Sequence, residues 1–511
     1  MEVRRIDLLR ILSLASDLGV GLPPEHGLRA CYIGLRIAGQ LGLSDEEQRD
    51  LLHVALLKDS GCTSWTTQLA AMVRGDEIAA RRDILFFREF GAKRDVIGWA
   101  TKFVGAGSPL PMRLGRMADF MVAGRDFMRE GFESGGEVSC RIAERLGASE
   151  TARHALRSLF EQWNGKGMPR GLRGEAIPLL SRIVFATSYL EAAHASGGRD
   201  GARRVARERA RSAFDPAVVE AFVQLSQDDE FWRPIETASV LAFVEGRLAE
   251  TTTEGIEEFA ACCADFVDMK AYWLAGHSRR VSGLAERVAR RLRLSEARTR
   301  DVRVGALVHD LGLVAVPSFV LNKPVDEQTA AEQAAIAAHG DILRRLFERF
   351  DALREIGEMA SLHHERLDVA ATTADRDALL AAGIIAAANE FDELTHDAPG
   401  APALDPEQAM AVLRGSLGGG PFAEAGTALL EEVSAAGRPA RGSQSWPAGL
   451  TDREVEVLRH LARGLSRKAV AGELVVSEST VRSHLEHIYG KLDVSTRVGA
   501  VLFAIENGLM T

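Results

Sequence analysis

One register occurs twice in this chain. Setting His26 on His277 brings Leu41-Gly42-Leu43-Ser44 onto Leu292-Arg293-Leu294-Ser295, Arg49-Asp50 onto Arg300-Asp301, and Ala55-Leu56 onto Ala306-Leu307. Asp59 falls on Asp310 and Gly61 on Gly312, all without a gap. The step from His26 to Lys58 is 32 positions, as is the step from His277 to His309. Polar positions match as well as apolar ones, so the same helices recur. The chain must contain two copies of one unit, and 511 residues leave room for about one domain more.

The units are predicted to be helical. Aromatic residues make up only 6% of the chain, Ala, Leu, Arg and Glu dominate, and alternating Val/Ile/Thr runs are scarce. The expected fold is all-α: two tandem helical bundles and a four-helix C-terminal module. The first unit is expected over 1–227, closed by the polar run Ser226 to Glu230 and by Pro234. The second is expected over 235–433. A Gly/Pro/Ser/Arg-rich stretch over 434–449 reads as a flexible linker, and the third unit occupies 450–511. Met1 to Leu18, interrupted by Arg4, Arg5, Asp7 and Arg10, reads as an amphipathic helix and not a signal peptide. No apolar run is long enough to span a bilayer, so a cytoplasmic protein with no membrane partner is expected. Cys31, Cys62, Cys140, Cys262 and Cys263 lack paired metal spacing and read as buried reduced thiols. The net charge of −10 argues against a nonspecific nucleic-acid coat but leaves room for one localised DNA-binding face.

The second copy carries the chemistry. His277 starts a helix with Val281, Leu284, Val288 and Leu292 on one face. A second apolar helix, Val302 to Leu311, ends in His309-Asp310-Leu311-Gly312, where Gly312 suits a helix C-terminus. His339 and His363-His364 follow on later helices. Neutral imidazoles hold divalent cations, a carboxylate bridges them, and open positions admit water and phosphate. A bridged pair lowers the pKa of shared water and clamps phosphoryl oxygens.

The segment from Ile256 to about Thr395 resembles the HD-GYP family, a metal-dependent phosphodiesterase branch of the HD superfamily. The resemblance rests on Gly276 to Val281, Ala306 to Gly312, Val316-Pro317, Leu321 to Pro324, His339, His363 to Asp368, and Phe391 to Thr395. It implies an α-helical HD domain with a divalent metal pair of iron or manganese type and a cyclic di-GMP-type substrate. The implied ligands are His277, His309, Asp310, His339, His363 and His364, with His309 and Asp310 central to catalysis. There are departures. Leu313 replaces the lysine expected after Gly312, Val369 to Thr373 replaces the Gly-Tyr-Pro loop, and Trp273 stands where a third metal would need glutamate. Asn389 stands at the late aspartate ligand and compensates no cation charge. The first unit keeps His26 and Asp59, but Lys58 replaces the pair's histidine and Leu159-Phe160 the later two. It is expected to be a metal-free structural copy. The run Arg199 to Arg211 reads as a solvated helix face.

The last unit opens with a capping box, Thr451-Asp452-Arg453-Glu454. Gly464 ends that helix, Ser466 caps a short second one, and Ser477 caps a third with Val481, Leu485, Ile488 and Leu492 inward. A last helix follows from about Thr496. Two short helices with a polar outer face on the second are the shape that enters a major groove. This unit resembles the LuxR-type helix-turn-helix through Leu450 to Glu454, Leu461 to Gly464, Ser477 to Leu485, Ile488 to Leu492 and Ser495 to Arg497. The resemblance implies a transcriptional regulator that binds DNA as a homodimer. Ser477, Thr480, Lys491 and Arg497 would then touch phosphates, and Ser479, Arg482 and Ser483 would approach base edges.

The reading of the whole is a DNA-binding transcriptional regulator whose second unit binds metal and senses or slowly hydrolyses a phosphorylated ligand such as a cyclic dinucleotide. The alternative is an active cyclic di-GMP-type phosphodiesterase carrying an accessory DNA-binding domain.

Overall fold

The computed structural model describes residues 3–84, 93–247, 251–252, 255–364, 376–436 and 446–510. Nearly all of the regular structure is helical. The strands among these residues are a two-residue antiparallel pair, Val3–Arg4 with Thr251–Thr252. No helix among the described residues is long and apolar enough to cross a membrane. The chain forms two compact units: Glu2–Gly255 with Pro317–Phe319, and Ile256–Val316 with Val320–Thr511.

Both units build the same frame. In the first, Glu25 in a left-handed conformation precedes the helix His26–Gln40; in the second, left-handed Gly276 precedes His277–Arg291. A buried aspartate ties each start: Asp17 Oδ1 accepts from the Gly27 N–H at 3.2 Å, and Asp268 Oδ2 from the Ser278 N–H at 3.2 Å. The next helices, Asp45–Leu57 and Glu296–Val308, are capped by Ser44 and Ser295, each accepting from a backbone N–H three residues on. A longer helix then packs on both: Leu179–Arg209 in the first unit and Arg376–Thr395 in the second. Between these shared elements the units differ. The first contains a 36-residue helix, Leu110–Arg145, and the second two shorter ones, Ala330–Ala337 and His339–Phe347.

Several expectations change. The helix Arg5–Val20 is not amphipathic: Asp7, Arg10 and Asp17 are buried along with its apolar residues. The boundary expected at Gln227 falls inside a unit. Trp232 is fully buried beyond it, donating from Nε1 to the Ser226 carbonyl at 2.8 Å, and the strand Thr251–Thr252 closes back on Val3–Arg4. The run Arg199 to Arg211 is only partly solvated. Arg199 pairs with Asp229 and Glu236, and Arg209 is buried over the Tyr189 ring. Gly312 does not end a helix. The helix stops at Val308, and Gly312 lies in a following 3-10 turn, where an added Cβ would meet the His339 carbonyl oxygen at 2.0 Å. At the ends of the linker expected over 434–449, the helix Gly420–Ala436 covers the first residues and Pro447–Gly449 forms a 3-10 turn. Residues 437–445 of that linker lie outside the described residues. The five cysteines form no disulfide and are buried, as expected.

The C-terminal module has four helices, Asp452–Ala462, Arg467–Glu473, Glu478–Leu492 and Arg497–Glu506. Val455, Leu458, Val470, Val481, Leu485, Ile488 and Leu492 share its core. A small apolar contact joins it to the segment before His277: Ala275 is buried with Ala462 and Ile505, with Val501 and Met510 against them.

Candidate metal centre and nucleic-acid face

The histidines scattered over the second unit's sequence meet in space. His277 is at its helix start, His309 and Asp310 directly follow the helix Glu296–Val308, and His339 opens His339–Phe347. His363 and His364 follow the helix Arg354–Ser361, and Asn389 lies on Arg376–Thr395. His277, His309, Asp310, His339, His363 and Asn389 are all at most 5% exposed.

The imidazoles are held in one sense. Nδ1 of His309, His339 and His363 faces a backbone carbonyl three residues earlier: Ala306 at 2.8 Å, Ile336 at 2.6 Å and Ala360 at 2.7 Å. Nδ1 of His277 faces Asp392 Oδ2 at 2.7 Å, and Arg280 grips the same carboxylate at 2.9 Å. Carbonyls and carboxylates only accept, so each Nδ1 carries a proton, and in the neutral ring Nε2 is then the nitrogen with the lone pair. Those lone pairs converge. The Nε2 atoms of His277 and His309 are 3.3 Å apart, and those of His339 and His363 are 3.0 Å apart. Asp310 lies between the pairs. Its Oδ2 is 3.5 and 3.4 Å from the first pair, and its Oδ1 is 3.4 and 3.6 Å from the second.

Unprotonated nitrogens and carboxylate oxygens facing one another in a buried space repel, and a cation at each focus turns that repulsion into coordination. The ligand atoms of His277, His309 and Asp310 lie within 4.8 Å of one another, as do those of His339, His363 and His364. Two nitrogen-rich sets sharing one carboxylate fit a pair of divalent transition-metal ions. The electrostatics agree. Burial lowers His309 and His363 to about 4, which keeps them neutral. Burial also opposes charge on His277, but the Asp392 bond and carboxylate outweigh it and raise it to about 9, so without metal a proton takes the cation's role there. Burial works against the Asp310 anion, yet His309 and the bonds from His339 and His363 hold it well below the usual carboxylate range.

Asn389 turns its carbonyl oxygen to His309 Nε2 at 3.2 Å and donates from Nδ2 to Glu393 at 3.1 Å. Leu313 is buried and presents no group to a ligand. Trp273 Nε1 donates to the Leu321 carbonyl at 3.1 Å. A cavity of about 710 Å³ adjoins His339 and His364, with Gln328, Gln333 and Arg344 in its wall, a size suited to a small organic ligand. Glu365 to Asp368 and the loop Val369 to Thr373 lie outside the described residues.

In the C-terminal module Ser477, Ser479, Thr480, Arg482, Ser483 and Lys491 are exposed. Ser477 caps the third helix through the Thr480 N–H at 3.1 Å, and Arg482 is held by Glu486 at 3.0 Å. Lys491 donates to the Gly449 carbonyl at 2.9 Å and to Glu454 at 2.7 Å. Arg497 is half-buried and donates to the Leu461 carbonyl at 2.6 Å. These last two brace the module, a role their spacing in the sequence did not signal.

A model of the HD domain matches residues 130–218 and 261–418, and one of the bacterial regulatory proteins of the luxR family matches residues 448–504. The 3'3'-cGAMP-specific phosphodiesterase 3 of Vibrio cholerae is 29% identical over 423 residues, covering 80% of this chain and 90% of that protein. The crystal structure of a cyclic GMP-AMP-specific phosphodiesterase of V. cholerae aligns with a TM-score of 0.60 at 26% identity, covering 85% of this chain and 98% of that one. Transcriptional regulatory protein YdfI of Bacillus subtilis is 48% identical over 62 residues, 12% of this chain and 29% of that protein. The chain is a tandem HD-domain protein ending in a LuxR-type domain.

HD phosphohydrolase domains depend on divalent metal, and the second HD domain has donors for it. The first HD domain keeps the outer shell and loses the inner one. His26 Nδ1 pairs with Glu191, which also binds Arg29 at 2.5 Å, repeating the His277–Asp392–Arg280 arrangement. Lys58, at the place of His309, pairs with Asp59. A Cβ on Gly61 would meet the Gly135 carbonyl oxygen, just as one on Gly312 would meet that of His339. Gly135 therefore occupies the place of His339, a loss the sequence had not disclosed.

Proposed function

We propose that this protein is a DNA-binding regulator whose second HD domain holds two divalent cations of iron or manganese type and recognises a 3',3'-cyclic dinucleotide, hydrolysing it slowly. The observation that carries this is the facing Nε2 pairs bridged by the two oxygens of Asp310. Bound divalent cations supply an activated water and neutralise charge on the phosphoryl oxygens. The protein's part is to fix the donors. Backbone carbonyls and Asp392 set the tautomers of His277, His309, His339 and His363, Asp310 shares its charge between the two foci, and the neighbouring cavity offers Gln328, Gln333 and Arg344 to the rest of the ligand. The likeness to a 3'3'-cGAMP-specific phosphodiesterase over most of both chains supports a cyclic dinucleotide as the ligand.

Slow turnover, and hence sensing, follows from two residues. Asn389 adds no negative charge to the cation pair, and Leu313 offers no cation to a substrate phosphate. Coupling to DNA has a physical route in the contact of Ala275, two residues before His277, with Ala462 and Ile505 of the LuxR-type domain. On DNA, a homodimer would present Ser479, Arg482 and Ser483 to base edges and Ser477, Thr480, Lys491 and Arg497 to phosphates.

The test is to incubate the metal-loaded full chain with 3',3'-cyclic GMP-AMP and with cyclic di-GMP and follow the linear product. Slow release that disappears in His309→Ala and Asp310→Ala is expected. Turnover that survives both variants, or failure of the wild type to bind either dinucleotide, contradicts the proposal. For DNA, Arg482→Ala should relax base preference at a genomic target; unchanged preference removes that residue from recognition.

A further inference from the structure

The first HD domain has exchanged its cation-binding centre for a cationic one. Where the second domain gathers imidazoles, this one has Lys58, Gly135 and the apolar pair Leu159 and Phe160. The lost rings leave a cavity of about 60 Å³, lined by Lys58, Asp59, Trp65, Arg81, Phe160 and Tyr189 among others. Arg81 comes from the short helix Glu77–Ile84 and is only 7% exposed. Its guanidinium lies over the Trp65 ring, 5.1 Å from the centroid. Nε, Nη1 and Nη2 are all buried and, among the described residues, hydrogen-bonded to nothing.

The neighbouring carboxylates each have a partner other than Arg81. Asp59 pairs with Lys58, Glu191 with His26 and Arg29, and Glu77, one turn before Arg81, accepts from the Ser318 N–H at 2.6 Å. Burial holds the Asp17 carboxyl toward its neutral form. A buried guanidinium with its N–H donors unused is costly, because stacking on an aromatic face replaces none of the lost hydrogen bonds. Its planar fork matches the oxygens of phosphate. The cavity has room for one such group and is well below the several hundred Å³ that a whole small-molecule ligand fills.

We propose that the core cavity of the first HD domain is an oxyanion site in which Arg81, with Lys58 in the same wall, binds inorganic phosphate or the terminal phosphoryl group of a nucleotide. The proposal does not depend on metal in the second domain.

The test is isothermal titration of the full chain, purified without phosphate or sulfate, with inorganic phosphate and separately with adenosine 5'-monophosphate. Arg81→Gln should weaken binding by about tenfold or more, the loss expected for hydrogen bonds to a charged group. Binding at the second domain contributes equally to both proteins and cancels in the comparison. Loss of both ligands assigns free phosphate as sufficient, and loss of the nucleotide alone assigns a nucleotide terminus. Equal binding by wild type and Arg81→Gln, or no binding by the wild type, overturns the proposal. Arg81→Met guards against misfolding. Without anion it should melt higher than the wild type, since it removes an unpaired buried charge, and phosphate should raise only the wild-type melting temperature. A lower melting temperature for Arg81→Met, with phosphate raising both proteins equally, reduces Arg81 to a packing residue and overturns the proposal.

Discussion

The two HD domains share a frame and differ at its centre. Both start a helix with a buried histidine, tie that helix through an aspartate that accepts from the N–H ten residues on, and back the histidine with a carboxylate from a distant helix that also pairs with an arginine three residues after the histidine. In the second domain that outer shell presents His277 to His309 and Asp310. In the first it presents His26 to nothing, and the buried His26 Nε2 has no hydrogen-bond partner among the described residues. The outer shell therefore belongs to the fold, while the proposed metal binding would rest on the inner donors at 309, 310, 339, 363 and 364. Resemblance of the frame alone does not make a centre.

The largest expected effect comes from Asp310→Ala. It removes the carboxylate whose two oxygens face the two foci and leaves converging imidazoles without a bridge, so metal content and dinucleotide hydrolysis should fall by well over about 100-fold, the upper range for loss of an outer-shell partner alone. Asp59→Ala in the first domain should change metal content not at all. Plasma mass spectrometry of both variants checks the pair. A step down in size is Asp392→Asn, which frees the His277 tautomer and should weaken metal binding about 10- to 100-fold, while Glu191→Gln, its counterpart, leaves affinity unchanged. In the opposite direction, Asn389→Asp restores a charge beside His309 and should tighten metal binding by about tenfold, ~1.4 kcal/mol, measurable by chelator competition. Lys58→His should add no metal, because Gly135 and Leu159 offer no ligands.

The metal-free chain should also show a stability maximum in pH. His309 and His363 titrate near 4 when folded and near 6.5 when unfolded. As pH falls below about 6.5 the unfolded state takes up protons that the folded state refuses, and stability is lost down to about 4. His277 behaves oppositely. Its folded value of about 9 gives a stabilisation fully present below about 6.5 and lost as pH rises through 9. Urea midpoints of the chelator-treated chain should therefore peak near pH 6.5, and the acid limb should flatten in a His309→Ala, His363→Ala double variant. The smallest effect is shared: Ser44→Ala and Ser295→Ala should each cost about 1 kcal/mol as lost helix caps, seen in thermal melts.

Much of the second domain's candidate centre was legible because its proposed ligands are mostly histidines, whose donor chemistry is the same whatever surrounds them. His277, His309, His339, His363 and His364 could be named from type and spacing, and the helix-turn-helix from its caps at Thr451, Ser466 and Ser477. What stayed hidden depends on partners far apart in sequence. Glu191 lies 165 positions from His26, and nothing local marks it as an outer-shell group. Gly135 reads as a glycine in a long helix until its carbonyl is found against Gly61. Arg81 sits in a short polar segment that looks solvated, and only packing against Trp65 reveals its burial. Gly312 was read as a helix end for the same reason: a close approach to His339 and a left-handed cap both select glycine.

The account is tested most directly by anomalous diffraction from crystals of the full chain, grown with manganese and measured near the manganese edge. It predicts about two peaks per chain, one between His277, His309 and Asp310 and one between Asp310, His339 and His363, with no peak at Asp59. A single peak away from Asp310, no peak in the second HD domain, or a peak in the first would contradict it.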